Sequence, residues 1–252
     1  MVNNLLRLKT EKEIAKYIDY AFLDNTASKK DIKEFIDKAK KYEFYSVVVG
    51  PTYVQYASEL LKDSDVKVVS VIDFPLGFGT TEAKVAEAKQ AIKNGADEID
   101  MLANIPAIKN KDYELIQEDI NAVKEAIGDH ILKVIIELTL ITEPEIKEIS
   151  KAIEKTNADF IKTSTGFSGF KKFNELVTYL ALIHKCAPNK EIKASGGITD
   201  FKTINRIIAA GATRIGTSSG PQIIDQLNLS SKNTEENAPG LFDKKPVYKK
   251  KD

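Results

Sequence analysis

Residues 158–166 read Ala-Asp-Phe-Ile-Lys-Thr-Ser-Thr-Gly, and residues 190–197 read Lys-Glu-Ile-Lys-Ala-Ser-Gly-Gly. In each, a short apolar run ends at a lysine, Lys162 or Lys193, and passes at once into small hydroxylated residues and glycine. A run of this length, bounded in the first case by Asn157 and Gly166, reads as a buried strand. A cation at the end of a buried strand is costly unless it is paired, neutral or able to snorkel to solvent. Two such strands in succession give a unit to look for elsewhere in the chain.

Going outward, the same unit recurs. Residues 173–186 form the helix that separates the two lysine strands, and residues 200–210 and the turns after Gly220 carry helices past the second. Residues 213–216 are a short strand between them. Upstream, strands are expected over 17–23, 44–49, 66–74, 98–102 and 131–138. They alternate with helices over 28–41, 53–61, 82–93, 113–127 and 143–155. Ile32, Phe35, Ile36 and Ala39 show the helical spacing in the first of these. Pro144 suits a first helical turn, and Asn104 and Pro106 mark a loop. Thr10 and Glu13 have the spacing of a capping box, which predicts a short N-terminal helix. Eight strand-helix units with apolar rather than alternating strands call for a parallel sheet covered by helices, and that count matches the (β/α)₈ or TIM barrel. A doubly wound open sheet is the competitor, but no G-x-G-x-x-G follows the first strand. The expected organisation is a single barrel domain over 1–227 and a polar, flexible C-terminal tail over 228–252.

Composition narrows the function. Lysine plus arginine equals aspartate plus glutamate at 37 each among 252 residues, which argues against a nucleic-acid partner. Cys186 is the single cysteine, and it and the two histidines, His130 and His184, form no cluster, so no metal is expected. No apolar run approaches the roughly 18 residues that cross a bilayer, and the first residues lack the apolar core of a secretion signal. The expectation is a cytoplasmic protein without a membrane partner.

In a barrel of this type the loops after the strands build the active site, so polar residues at strand ends are candidates. Asp100 is read as ending the fourth strand, Lys133 and Glu137 as lying on the fifth, Lys162 as ending the sixth and Lys193 the seventh. Glu98 and Asp100 share a face, and the two lysines sit on neighbouring strands. A lysine attacks a carbonyl only as the free amine, which a second cation and desolvation both favour. One lysine can therefore be a Schiff-base nucleophile and the other its pKa depressor, with Asp100 moving protons. The residues alone do not say which lysine is which, and a buried Lys-Asp-Lys network that only ties strands together remains the alternative. Ser195-Gly196-Gly197 and Gly216-Thr217-Ser218-Ser219-Gly220, after the last two strands, point to phosphate binding by backbone N–H groups.

Together these motifs resemble the deoxyribose-phosphate aldolases, class I aldolases that form a Schiff base. The resemblance is carried by Val71-Ile-Asp-Phe-Pro-Leu-Gly with Thr80-Thr81-Glu82, by Gly95-Ala-Asp-Glu-Ile-Asp-Met and by Lys133-Val-Ile-Ile-Glu137. It continues through Ala158–Phe167, Lys193-Ala-Ser-Gly-Gly-Ile198 and Arg214-Ile-Gly-Thr-Ser-Ser219, in order over about residues 18 to 227. It implies reversible cleavage of 2-deoxy-D-ribose 5-phosphate to acetaldehyde and D-glyceraldehyde 3-phosphate, without a cofactor. Lys162 is then the Schiff-base lysine, Lys193 lowers its pKa and relays protons, and Asp100 is proton donor or acceptor. Thr163, Gly166, Gly196, Gly197, Gly216, Ser218 and Ser219 surround the phosphosugar, with Asp19 and Lys133 behind them. A homodimer is a further expectation of the resemblance. The chain departs from the family pattern at Ala21, where relatives usually have threonine, and at Asp24-Asn25, usually lysine-proline. The loop from Phe167 is also shorter, and no relay role is carried over to Tyr248. The other readings weighed are a differently specific class I aldolase or transaldolase, a sugar-phosphate isomerase and a non-catalytic phosphosugar-binding barrel.

Overall fold

The computed structural model describes residues 10–169 and 173–227. Eight parallel strands close into one barrel in sequence order. They are β1 (Ile18–Phe22), β2 (Ser46–Val49), β3 (Lys67–Ile72), β4 (Glu98–Leu102), β5 (Ile131–Ile135), β6 (Phe160–Lys162), β7 (Glu191–Ser195) and β8 (Arg214–Thr217). Closure comes from β1 pairing both neighbours, Asp19 with Ser46 of β2 and with Gly216 of β8. The helices are α1 (Glu11–Ala15), α2 (Lys29–Lys41), α3 (Val54–Leu61), α4 (Thr81–Lys93), α5 (Ile105–Asn110), α6 (Tyr113–Ile127), α7 (Glu143–Glu154), α8 (Phe173–Cys186) and α9 (Phe201–Ala209), and residues 220–227 are also helical. The expected tail over 228–252 lies outside the described residues.

Local chemistry explains where the helices start. Thr10 and Ser28 each accept from the backbone N–H three residues on, while Glu13 and Asp31 reach back to the cap, so α1 and α2 open with capping boxes. Asp112 and Asp200 cap α6 and α9 in the simpler way. The strands are buried on both faces, as a parallel sheet under helices requires. One face packs outward: Tyr20 and Phe22 stack on Phe35 of α2, and Ile99, Met101, Leu132 and Val134 join the core beneath the helices.

The other face fills the barrel, and it is divided. Val48, Val69 and Val71, with Ala21, Leu23 and Phe74 against them, form a separate apolar cluster on the β1–β3 side. Towards β4–β8 the interior is ionic, with Asp19, Glu98, Asp100, Lys133, Lys162, Lys193 and Arg214 all buried.

Three sequence expectations need correction. The loop expected around Asn104 and Pro106 contains α5, because the Asn104 side chain caps Ala107 N–H and Pro106 sits in the first turn, where its missing N–H costs nothing. Asp100 and Lys193 do not end their strands; each lies at the centre of a five-residue strand, inside the barrel. Glu137 does not lie on β5, which stops at Ile135; its φ is 49°, and its buried carboxylate accepts from the Thr165 backbone N–H at 3.1 Å and from the Thr165 hydroxyl. It anchors the loop after β6 instead.

Candidate active site

Lys162 and Lys193 are register partners on β6 and β7. Both ammonium groups lie 2.7 Å from one oxygen, Asp100 Oδ2. The other Asp100 oxygen accepts from Lys133 at 2.8 Å, so one carboxylate meets three lysines. Lys133 also meets Glu98 at 2.5 Å, and Arg214 reaches Glu98 at 3.3 Å and Asp19 at 2.9 Å. Asp19 in turn holds Lys193 at 2.5 Å and receives the Ser46 hydroxyl at 2.6 Å. These contacts close a ring of alternating charge: Asp100, Lys193, Asp19, Arg214, Glu98, Lys133 and back to Asp100. Lys162 hangs from the ring at Asp100.

The ring fixes protonation. Burial disfavours the carboxylates of Asp100 and Asp19, yet the surrounding lysines hold Asp100, and Lys193, Lys133 and Arg214 hold Asp19, well below the usual range. Lys133 goes the other way: its burial is outweighed by Asp100, Glu98 and Asp19, which keep it charged. Lys162 has a single carboxylate neighbour. Burial, assisted by the like charges of Lys193 and Lys133 and opposed by Asp100, lowers it to about 8. At pH 7 that leaves roughly a tenth of Lys162 as free amine, about 300-fold more than a lysine of ordinary pKa supplies.

The amine faces a cleft of about 610 Å³ at the C-terminal ends of the strands, lined by both Lys162 and Lys193. Gly166, Gly196, Gly197, Gly216 and Ser218, the residues expected around a phosphosugar, line the same cleft. The apolar wall is supplied by Ala21 and Val48. The Phe74 ring lies 5.9 Å from Lys162 Nζ and meets Phe167 edge-on. This wall was not legible as a site feature, since valine and phenylalanine in strands read as ordinary core.

Three predicted residues do not line the cleft as expected. Thr163 is fully buried, and its hydroxyl donates to Ser195 O and accepts from Ser195 N, both at 2.9 Å, so it ties β6 to β7 rather than facing a ligand. Ser219 stands one residue past the lining, its N–H donated to Thr217 Oγ1 at 2.9 Å. Asp100 lies beneath the cleft and reaches it only through the two lysines. Gly216 has a second purpose: a Cβ there would come within 2.9 Å of Ser195 Cβ and 3.1 Å of Lys193 Cε, so its absence makes room for the lysine. Asp19 and Lys133, expected behind the lysines, are where the sequence placed them. Glu98 and Arg214 complete the ring. Glu98 was legible as sharing the face of Asp100, and Arg214 two residues before Gly216 carried the same strand-period signal.

Among the described residues, no group of three or more histidine, cysteine, aspartate or glutamate side chains could hold a metal. None of their helices is long and apolar enough to cross a membrane.

The family model of the DeoC/LacD family aldolases matches residues 14–225. A deoxyribose-phosphate aldolase of Staphylococcus carnosus is 46% identical over 219 residues, covering 87% of this chain and 99% of that protein. One from Lactococcus lactis subsp. lactis is 48% identical, covering 85% and 97%. Among solved structures, the tetrameric deoxyribose phosphate aldolase of Aeropyrum pernix superposes with a TM-score of 0.79 at 27% identity, covering 90% of this chain and 98% of that one. A buried lysine of lowered pKa at the mouth of a (β/α)₈ barrel is the equipment such an enzyme needs, and with these matches over nearly the whole barrel the chain belongs to the DeoC/LacD family of aldolases.

Proposed function

We propose that this aldolase cleaves 2-deoxy-D-ribose 5-phosphate reversibly to acetaldehyde and D-glyceraldehyde 3-phosphate, with Lys162 as the Schiff-base nucleophile. The observation that carries the reading is the lowered pKa of Lys162, which opens onto the cleft while its partner Lys193 is clasped between Asp19 and Asp100. The free amine of Lys162 adds to the aldehyde carbon of the open-chain sugar, and loss of water gives the iminium. Removal of the proton from the C3 hydroxyl then breaks the C2–C3 bond. Its electron pair enters the enamine, and glyceraldehyde 3-phosphate leaves. Protonation of the enamine at C2 and addition of water to the resulting iminium release acetaldehyde and restore the amine. The electron sink is the iminium nitrogen.

The proton steps divide between two groups. Asp100, held ionised by three lysines, anchors both working ammonium groups and exchanges protons with the cleft only by way of them. Lys193, at hydrogen-bond distance from the same oxygen, is the donor that reaches the cleft, with water between it and the carbon. The apolar wall of Ala21 and Val48, with the Phe74 ring 5.9 Å from Lys162 Nζ, receives the two-carbon fragment. The phosphate lies at Gly166, Gly196, Gly197, Gly216 and Ser218; the positive φ of Gly166, Gly196 and Gly197, from 68° to 101°, turns the backbone there in a way that other residues resist. Two further proposals are a cytoplasmic location, supported by the single cysteine and the start of the chain, and a homodimer, supported by the family resemblance and checked by light scattering.

Borohydride reduction in the presence of acetaldehyde tests the assignment. An ethyl group on Lys162, located by peptide mass analysis, is the expected product. A protein that cleaves the sugar without any lysine adduct, as a metal-assisted mechanism would, sinks the proposal.

A further inference from the structure

The ionic ring extends one layer below the lysines, to two residues that touch neither the cleft nor Lys162. Glu98 lies two residues before Asp100 on the same face of β4, about 7 Å along the strand. It meets Lys133 at 2.5 Å and Arg214 at 3.3 Å, and bonds to the Tyr45 side chain. Arg214 meets Asp19 as well, and its guanidinium stacks 3.5 Å from the centre of the Tyr45 ring and 5.4 Å from that of Phe160. Lys162 itself faces Asp100 from β4, Lys133 from β5, Lys193 from β7 and the Phe74 ring from the loop after β3. Glu137, in the loop after β5, is engaged with Thr165 and Thr139. The ring is balanced by itself, three carboxylates alternating with Lys133, Lys193 and Arg214. A proton on Lys162 is therefore a cation beyond the balance of that ring.

We propose that Glu98 and Arg214 are positioning residues for the aldol reaction, deciding through the ring whether Lys162 carries its proton; the proposal rests on Lys162 being the nucleophile. Neither touches substrate. Each acts by setting the charge that the ring presents to Lys162. Removing the carboxylate of Glu98 leaves the ring with an excess positive charge, which expels the Lys162 proton. Removing the Arg214 cation leaves an excess negative charge, for which protonated Lys162 becomes the counter-ion. A unit charge about 10 Å away at an effective dielectric constant of about 20 displaces a titration by about one pH unit. A purely structural role has no such sign: loosening the barrel slows the reaction whichever residue is lost.

The test is the pH dependence of Lys162 ethylation by acetaldehyde and borohydride in the full chain, with folding followed by circular dichroism. Glu98→Gln, nearly isosteric, should move the acid limb about one unit to lower pH. Arg214→Met should move it about one unit to higher pH. Arg214→Lys, which keeps the charge but loses the planar fork and the stacking, should leave the limb where it is. Limbs that stay put, or that move in the same direction in the Gln and Met variants while Lys162 is still ethylated, overturn the proposal. If Arg214→Met does not fold, Glu98→Gln decides alone: a limb at or above the wild-type pH refutes it. Absence of a Lys162 adduct in the wild-type protein at every pH defeats the Schiff-base reading instead.

Discussion

Replacing Lys193 by methionine should raise the pKa of Lys162 by two to three units and all but silence it at neutral pH. Both ammonium groups lie 2.7 Å from the same Asp100 oxygen, so their separation is at most about 5.4 Å, twice that contact. At about 4.5 Å and an effective dielectric constant of about 20, two unit charges repel by about 3.7 kcal/mol, equivalent to between two and three pH units. Removing that repulsion also leaves Asp100 Oδ2 to Lys162 alone. From about 8 the lysine returns to the ordinary range. Its free-amine fraction at pH 7 then falls from roughly a tenth to below one part in 10³, so ethylation should slow about 100-fold. The assay is the rate of adduct formation from pH 6 to pH 11, at fixed acetaldehyde and borohydride. The variant should regain much of the wild-type rate towards pH 10 to 11, where Lys162 is again the free amine. The loss leaves Asp19 with Arg214 and Ser46, so folding of the variant has to be verified alongside. An unchanged acid limb in a folded variant would refute the depressor role of Lys193 and assign the whole shift to burial.

Gly216→Ala should cut kcat at least 10-fold while folding survives, since its methyl would press on Lys193 Cε and Ser195 Cβ and turn the lysine off Asp100; steady-state kinetics at unchanged far-UV circular dichroism checks this. Lys84→Met should destabilise the barrel by about 3–5 kcal/mol in urea melts, because buried Lys84 is held by Asp119 at 2.5 Å and Asp73 at 3.3 Å and both carboxylates would lose their partner. Glu145→Gln should cost about 1 kcal/mol at pH 7 by weakening the start of α7. Hydrogen bonds from Thr142, then Lys109, lower Glu145 from 4.5 to about 2 in the folded protein. Its contribution is therefore present above pH 4.5 and lost as pH falls towards 2, so denaturation curves of variant and wild type should converge over that window.

Much of this was legible because local chemistry and global fold agree. Val47, Val48 and Val49 cannot be exposed on either face of their strand, and that alone calls for a covered parallel sheet. Helix starts were written in Thr10 and Ser28, while Thr80, expected in a loop, caps α4. α5 was missed because Pro106 punctuates loops more often than it opens helices. Lys162 and Lys193 were legible as a pair since their strands are adjacent in sequence. The full ring was not, because its Arg214–Glu98 contact joins residues 116 apart and its Arg214–Asp19 contact residues 195 apart. Strand period gives the face on which each stands, but only closure of the barrel brings them together. Thr163 misled for the opposite reason: a threonine beside a reactive lysine resembles a ligand contact, whereas its hydroxyl is consumed by β7.

The bond between the first strand and the last has a consequence for how the chain comes into being. Asp19 leaves the ribosome early, and its guanidinium partner Arg214 is made 195 residues later. At bacterial-to-eukaryotic rates of about 5–20 residues per second, that is an interval of roughly 10 to 40 s. Until then Glu98 has only Lys133 and Asp19 only Lys193 for a cation, and the ring lacks the guanidinium that bridges the two carboxylates. The pairing of β8 with β1 that closes the sheet therefore also delivers the last cation of its charged core.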